Sequence, residues 1–374
     1  MSQLTPFDHQ PRTRIVFGNG VLARIGELSL GLGAKRVLIV TDSGIVKAGH
    51  AARAEAALQE AGMQSATFDR VHENPSTRDV DECVAFAREF QTDLIIGLGG
   101  GSSMDTAKGC NFILTNGGRI KDYWGVGKAT KPMLPLIAVP TTSGTGSECQ
   151  SFALISDEVT HAKMACGDPK AAAKIALLDP ELTVSMPQKV TVLTGIDAIA
   201  HAIETSVTKK RNAISLMYSR EAFRLLISGF ERVLRNPSDL EARGHMLLGS
   251  AFAGTAIENS MLGAAHSCAN PLTAKFGIVH GQAVGMMLPH VIRFNSALVD
   301  PALEYRDLFD GDLPERISNI LSESGVPLTL SMCGVTSGSI PELATEAASQ
   351  WTAQFNPREV SIGDFVQLYE AALA

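Results

Sequence analysis

A chain of 374 residues is too long for one ordinary hydrophobic core and, at roughly 150 residues per domain, predicts two domains. With 45% hydrophobic and 19% charged residues it can bury a large interior, which excludes a disordered tail. A net charge of −7 argues against a nucleic-acid partner and against anionic membrane surfaces, both of which call for a cationic face.

The opening MSQLTPFDHQPRTR has no apolar h-region, so no secretory signal is expected. Short β-rich runs follow at Arg14–Phe17, 36–41, 93–98 and 134–139. Segments 51–61 and 80–90 between them have helical spacing, the second with Val80, Cys83, Val84 and Ala87 on one face. Near-continuously apolar strands alternating with helices predict an α/β domain whose mostly parallel sheet is covered on both faces. Ligands of such sheets bind beyond the carboxyl ends of the strands.

From about residue 187 the texture changes to long helical patterns at 190–207, 215–233, 240–258 and 282–294. The segment DPELTVSMP, 179–187, reads as the joint, so the expected domains are 1–185, α/β, and 186–374, all helical. Residues after about 300 read as helical, polar and peripheral. No run approaches the ~20 apolar residues of a membrane span. Six cysteines without a CxxC pair read as small buried hydrophobes in a reducing compartment, most simply the cytoplasm. The edge-like segment Arg14–Phe17 suggests a homo-oligomer, a dimer or larger.

Two loops could hold phosphate. In IIGLGGGSSMDTAKG, 95–109, an apolar strand runs into three glycines and then a helical segment. Backbone N–H groups at such a helix start can approach a phosphate, and the helix dipole favours its charge. Neither GxxxxGK[ST] nor GxGxxG is present, and a tight turn without ligand fits this motif too. The second loop, VPTTSGTGSE, 139–148, places Thr141, Thr142, Ser143, Thr145 and Ser147 after another apolar strand, where hydroxyls suit ribose and phosphate oxygens. Asp42 directly follows the strand RVLIVT, where a carboxylate can accept from an adenosine ribose hydroxyl and repel a 2′-phosphate. Together these favour a dinucleotide.

The helical half offers metal ligands. In TGIDAIAHAIE, Asp197 and His201 are four apart and project from one helix face. Glu204 lies three further on as an orienting partner. The pair alone fits an incidental contact as well. His266 and His280 sit in small-residue, apolar surroundings where an unpaired imidazole is costly. Three nitrogens and one carboxylate suit Fe²⁺ or Zn²⁺ rather than Ca²⁺ or Mg²⁺. His290, and likewise His9, His50, His72, His161 and His245, read as structural.

These segments carry a family likeness. The chain resembles the iron-containing (group III) alcohol dehydrogenases, relatives of glycerol dehydrogenase and dehydroquinate synthase and similar to lactaldehyde reductase. The likeness runs over at least residues 13–295, through RIVFGNG, VLIVTDSGI, GLGGGSSMDTAK, PTTSGTGSE, LLDPEL, GIDAIAHAIE and HGQAVGMMLPHVIRFN. The resemblance implies a Rossmann-like α/β domain followed by an all-α domain, the dehydroquinate synthase-like fold, with the active site in the cleft between them. It implies NAD as cofactor, with Gly100, Gly101 and Ser102 at the pyrophosphate and Thr141, Thr142 and Thr145 on the second nucleotide loop. Asn74 and Lys163 would contact the cofactor, and Asp42 would favour NAD over NADP. Asp197, His201, His266 and His280 would hold a divalent metal, Fe²⁺ first and Zn²⁺ as the alternative. The implied reaction is metal-assisted hydride transfer between a small alcohol and its aldehyde or ketone.

One position departs from the family pattern. Many members carry a second histidine four residues after the third ligand, a candidate proton relay; here Asn270 stands there. An amide does not ionise near neutral pH and so cannot relay a proton as an acid or base, which leaves the catalytic acid–base group unassigned. The full ligand set argues against the metal-free maleylacetate reductases. A lyase or cyclase on the same scaffold and a non-catalytic NAD-binding protein stand as alternatives.

Overall fold

The computed structural model describes residues 5–160 and 162–374, and His161 lies outside them. They form two compact units, one of residues 10–186 and 238–251, the other of 187–237 and 252–374 with the N-terminal segment up to His9.

In the first unit six strands form a wholly parallel sheet: β1 (Arg14–Phe17), β2 (Arg36–Val40), β3 (Gln64–Phe68), β4 (Leu94–Gly99), β6 (Leu136–Pro140) and β9 (Ile175–Leu178), in the order β1-β9-β6-β4-β2-β3. The helices α1 (Ile25–Gly31), α2 (Ser43–Lys47), α3 (His50–Glu60), α4 (Thr77–Phe90) and α5 (Gly101–Asn116) accompany it. A smaller sheet joins β5 (Gly125–Val126), β8 (Lys163–Gly167) and β7 (Phe152–Ser156), with β7 antiparallel to β8.

Alternation along the strands explains the layering. Val37 and Ile39 join one core with Leu94, Ile96, Leu98, Ile137 and Val139. Leu38 and Val40 turn to the opposite core with Ile95, Leu136 and Ala138, against Val80, Val84 and Met104 of the helices. Both faces are therefore buried, as an all-parallel sheet requires. The sequence reading passes over β3, because QSATF is a half-exposed edge strand with little apolar alternation.

The strand order locates the ligand edge. After β2 the chain moves outward to β3, then returns to the other side of β2 for β4 and β6. The direction reverses between β2 and β4, which is where an open α/β sheet leaves a crevice at its carboxyl end. Asp42 follows β2 by two residues and Gly100 follows β4 directly.

The second unit is built around α6 (Gln188–Val207), packed by α7 (Ala213–Arg235), α10 (His280–Asn295) and α11 (Val299–Leu308). By length and composition α6 would pass for a membrane span, but 89% of that stretch is buried, as befits a core helix. The helix α8 (Leu240–Ser260) is divided: residues up to 251 pack with the first unit, where Leu247 and Ala251 meet Ala176 and Leu178. Next come α9 (Ala264–Phe276), α12 (Leu313–Glu323), α13 (Ile340–Ser349) and α14 (Ile362–Leu373).

The expectation that the chain after about 300 is peripheral is overturned. Leu343, Phe365, Leu368 and Tyr369 are buried, and the Tyr369 hydroxyl donates to the Cys268 carbonyl at 2.8 Å. Asn356 Oδ1 accepts from Ala264 N at 3.2 Å, and Thr352 pairs with Ser267 at 2.7 Å. The C-terminal segment thus braces α9. Its apolar residues are spaced among many polar ones, which masked this role in the sequence.

Candidate functional site

In the helical unit, α6 presents Asp197, His201 and Glu204 on successive turns of one face, all buried. His266 lies in the first turn of α9 and His280 opens α10. Small residues let these helices meet. A Cβ on Gly281 would sit 2.0 Å from the Leu193 carbonyl oxygen and 3.3 Å from Asp197 Cβ, so only glycine permits the approach that sets His280 beside Asp197.

All four sequence-predicted ligands come together. Asp197 Oδ1 lies 3.5 Å from His201 Nε2, 3.4 Å from His266 Nε2 and 3.9 Å from His280 Nε2. The His201 and His266 rings stack with centroids 4.8 Å apart, and His280 is tilted at 5.4 Å from His266. Ligand atoms of Asp197, His201 and His266 all fall within 4.8 Å of one another. Good N–H···O bonds are near 2.9 Å, so these separations are long for mutual hydrogen bonding. They match the spacing around a tetrahedral ion, whose ~2.1 Å bonds put neighbouring ligand atoms ~3.4 Å apart. Asp197 Oδ1 and His266 Nε2 are buried without a hydrogen-bond partner among the described residues. A buried carboxylate oxygen and a ring nitrogen left so are costly, and a cation between them removes the cost.

Glu204 holds the opposite side of His266. Its Oε2 accepts from His266 Nδ1 at 2.5 Å while Oε1 accepts from Ala265 N at 2.7 Å. With Nδ1 so engaged, Nε2 faces Asp197. The electrostatics agree with a cation site. Burial alone would raise the Asp197 carboxyl, but His201, His266 and His280 hold it well below the usual range. Burial would lower His266, yet the charges of Glu204 and Asp197 outweigh it and push the imidazole up to about 9. Two buried carboxylates here call for positive charge.

Asn270 stands one turn beyond His266 on α9, and its Nδ2 donates to Gln350 Oε1 at 3.0 Å. Among the other histidines, His9 meets Asn259, His50 meets Ser185 and His72 meets Asp79. Burial, with Arg293 nearby, lowers His290.

In the α/β unit, Gly99 adopts φ +148° as β4 ends, and Gly100 precedes α5 at its N-cap with no side-chain cap. The first N–H groups of this helix are left for a ligand. The second loop closes on the turn: Thr141 N donates to Gly99 O at 2.9 Å, and a Cβ on Gly100 would lie 3.5 Å from Thr142 Cγ2. A Cβ on Gly101 would come within 2.8 Å of Thr145 Cγ2. Asp42 Oδ1 caps α2 through Gly44 N and Ile45 N, at 2.8 and 3.1 Å, while Oδ2 lies toward Gly99. Gly100, Gly101, Ser102, Thr141, Thr142, Thr145 and Asp42 therefore share one end of the sheet.

Asn74 and Lys163 stand apart from that turn. Both are exposed, Asn74 on the β3–α4 loop and Lys163 at the start of β8, and neither hydrogen-bonds to the glycine turn among the described residues. Sequence reasoning missed the strut beneath the loops. Lys108 Nζ, buried, donates to Ser147 O, Ser147 Oγ and Phe152 O at 2.6 to 2.9 Å, and Ser147 Oγ donates to Asp105 Oδ1 at 2.7 Å. Its signal was available: an Asp and a Lys three apart, on a helix otherwise lined by small and apolar residues.

Comparison with known proteins identifies the family. Residues 11–180 match the family model described as iron-containing alcohol dehydrogenase, and 191–373 match the Fe-containing alcohol dehydrogenase family, C-terminal. The NAD-dependent methanol dehydrogenase of Bacillus methanolicus is 32% identical over 96% of this chain and 97% of its own. A crystal structure of 1,3-propanediol oxidoreductase superposes with TM-score 0.94 at 30% identity, covering 99% of this chain and all of that one. Sulfoacetaldehyde reductase from Bifidobacterium kashiwanohense, solved in complex with NAD⁺, gives TM-score 0.91 at 28% identity over 98% and 99% of the two chains.

Proposed function

The chain belongs to the iron-containing alcohol dehydrogenase family, and from that premise we propose how its residues divide the labour of an NAD-dependent interconversion of an alcohol with its aldehyde or ketone. The observation that carries the reading is the convergence of three imidazole Nε2 atoms on one buried Asp197 oxygen.

Asp197, His201, His266 and His280 hold a divalent ion, Fe²⁺ first and Zn²⁺ as the alternative, because nitrogen ligands with a single carboxylate suit these metals. When bound, the ion would supply Lewis acidity at the alcohol oxygen and the nicotinamide would supply the hydride chemistry. Glu204 keeps the His266 ring turned so that Nε2 serves the ion. Gly100, Gly101 and Ser102 donate backbone N–H groups to the pyrophosphate, with Thr141, Thr142 and Thr145 closing over it. Asp42 Oδ2 accepts from the adenosine ribose and repels a 2′-phosphate, which selects NAD. Asn74, on the loop before α4, and Lys163, at the start of β8, contact the cofactor.

Asn270 carries no group that ionises near neutral pH, so it would not serve as the acid–base relay for the alcohol proton, which would need water or a ribose hydroxyl instead. The substrate is a small primary alcohol, a diol or the matching aldehyde. The functional domains divide at about residue 185, and the enzyme works in the cytoplasm as a homo-oligomer.

The test is to strip the protein of metal, reload it with Fe²⁺ or Zn²⁺, and follow NADH absorbance with primary alcohols, diols and aldehydes. Turnover that depends on the metal is expected. Tight NADH binding and full metal loading without turnover on any of them would overturn the reading.

A further inference from the structure

The loop between β3 and α4 holds Asn74 in the left-handed region, at φ 53°. Asparagine tolerates this conformation better than most residues, but only surroundings that over-determine the loop keep it there. One carboxylate supplies the near side of those surroundings. Asp79, buried in the first turn of α4, binds His72 Nδ1 at 2.5 Å through Oδ1, and its Oδ2 accepts from Ser76 N and Ser76 Oγ at 2.7 Å each. His72 and Ser76 lie two residues before and two residues after Asn74.

Capping α4 accounts for only half of this. Ser76 and Asp79 already form the reciprocal capping box, with Asp79 N donating back to Ser76 Oγ at 3.4 Å. The helix needs nothing from His72, whose side chain is 70% exposed. What the His72 bond does is close the loop around Asn74. A second brace fixes the far side of the loop: Ser156 N donates to Pro75 O at 2.8 Å, Ser76 bridges Ser156, and Ser156 pairs with Lys163 across β7 and β8. The loop carrying Asn74 and the strand carrying Lys163 are thus tied as one support. Bonds from His72 and Ser76 also hold the Asp79 carboxyl below its usual range, although burial works against them.

We propose that Asp79 is a positioning residue for the cofactor, gripping the loop through His72 and Ser76 so that Asn74 is presented in one fixed conformation. The inference rests on the reading of Asn74 as a cofactor contact, and the experiment separates the two. NADH dissociation constants, KM for NAD and kcat are measured on the metal-loaded, full-length enzyme carrying Asn74→Ala, His72→Ala, Asp79→Asn, and the double variants in the Asn74→Ala background. His72 is exposed, so its replacement tests the loop even if Asp79→Asn does not fold.

Losing one hydrogen bond of this kind predicts NADH binding weaker by about three- to tenfold in His72→Ala, with kcat within about twofold. In the Asn74→Ala background the same substitution is expected to add less than about twofold, because its effect runs through the missing side chain. Unchanged NADH affinity in His72→Ala, alongside weakened binding in Asn74→Ala, would overturn the inference and leave the reading of Asn74 intact. Full additivity of the two would also overturn it, marking a general loss of structure. Unchanged affinity in Asn74→Ala would remove the reading itself, and the inference with it.

Discussion

The proposed nucleotide site of the α/β unit is mostly backbone, while the proposed metal site of the helical unit is made of side chains. Gly99 to Ser102 form a turn at the end of one strand, and the loop after β6 meets it because neighbouring parallel strands end together. The proposed metal ligands arrive instead from three helices, at positions 197, 201, 266 and 280. The costs differ accordingly. The turn needs a glycine at φ +148° and close threonine contacts, whereas the cluster must bury Asp197, Glu204 and two imidazoles. A backbone cradle is paid for locally; a buried charge cluster is stable only when every member is satisfied. The two half-sites should therefore fail separately.

The sharpest way to break that separation is His266→Ala. It removes the central imidazole and leaves Asp197 and Glu204 buried without their shared partner. Alcohol-dependent NADH formation is expected to fall by roughly a thousandfold or more, the equivalent of about 4 kcal/mol at the transition state. Elemental analysis should show metal lost while NADH affinity stays within about twofold. Retained turnover would refute the metal assignment.

Next in size is Glu204→Gln. The amide can still accept from Ala265 N, but it no longer places a negative charge against His266 Nδ1. Substitutions at such orienting partners typically cost about 10- to 100-fold in metal affinity. A chelator-competition titration measures this, and NADH binding should not move.

A pair of glycine substitutions sharpens the contrast from both sides. Gly281→Ala would put a methyl group 2.0 Å from the Leu193 carbonyl oxygen and push α10 away from α6. Gly101→Ala would set one against Thr145 at 2.8 Å, narrowing the turn. Overpacking of this kind costs about 1 to 3 kcal/mol, so each half-site should lose about tenfold or more in its own ligand's affinity. The first should lower metal occupancy and spare NADH; the second should do the reverse. A variant that damages both would show that the half-sites are energetically one.

The same contrast explains how much could be read beforehand. The glycine turn, the threonine loop and Asp42 are contiguous motifs at strand ends, so the sequence carried them in legible form. Asp197 and His201 were visible as a helical pair, but nothing local says that His266 and His280 meet them. That convergence depends on Gly281 and on α9, whose internal Pro271 and small residues hide the helical pattern. The brace on α9 from Thr352, Asn356 and Tyr369 was invisible for a related reason: single polar bonds across some 85 to 101 residues leave no periodicity. The His72–Asp79 bond was equally hidden, since an exposed histidine near a helix start is unremarkable until the loop is seen to fold back.

The smallest expected effect concerns stability alone and lies beside the nucleotide loops. Glu148 ends the PTTSGTGSE segment fully buried, and its Oε1 has no hydrogen-bond partner among the described residues. Burial pushes its carboxyl up from 4.5 to about 7, only partly offset by its own backbone N–H and by Lys108. Between these two values the folded protein keeps a proton that the unfolded chain has released. The stabilisation is therefore complete below about 4.5 and is lost as pH rises through 7, on the order of 3 kcal/mol in all. Glu148→Gln removes the ionisation while keeping the shape. Its melting temperature should depend less on pH between 5 and 8 than that of the parent, with the variant relatively more stable at pH 8 by a few degrees. Parallel melting curves for parent and variant across that range would show that Glu148 is ionised and paired in the fold, contrary to this account, and that the α/β half-site also depends on a satisfied buried charge.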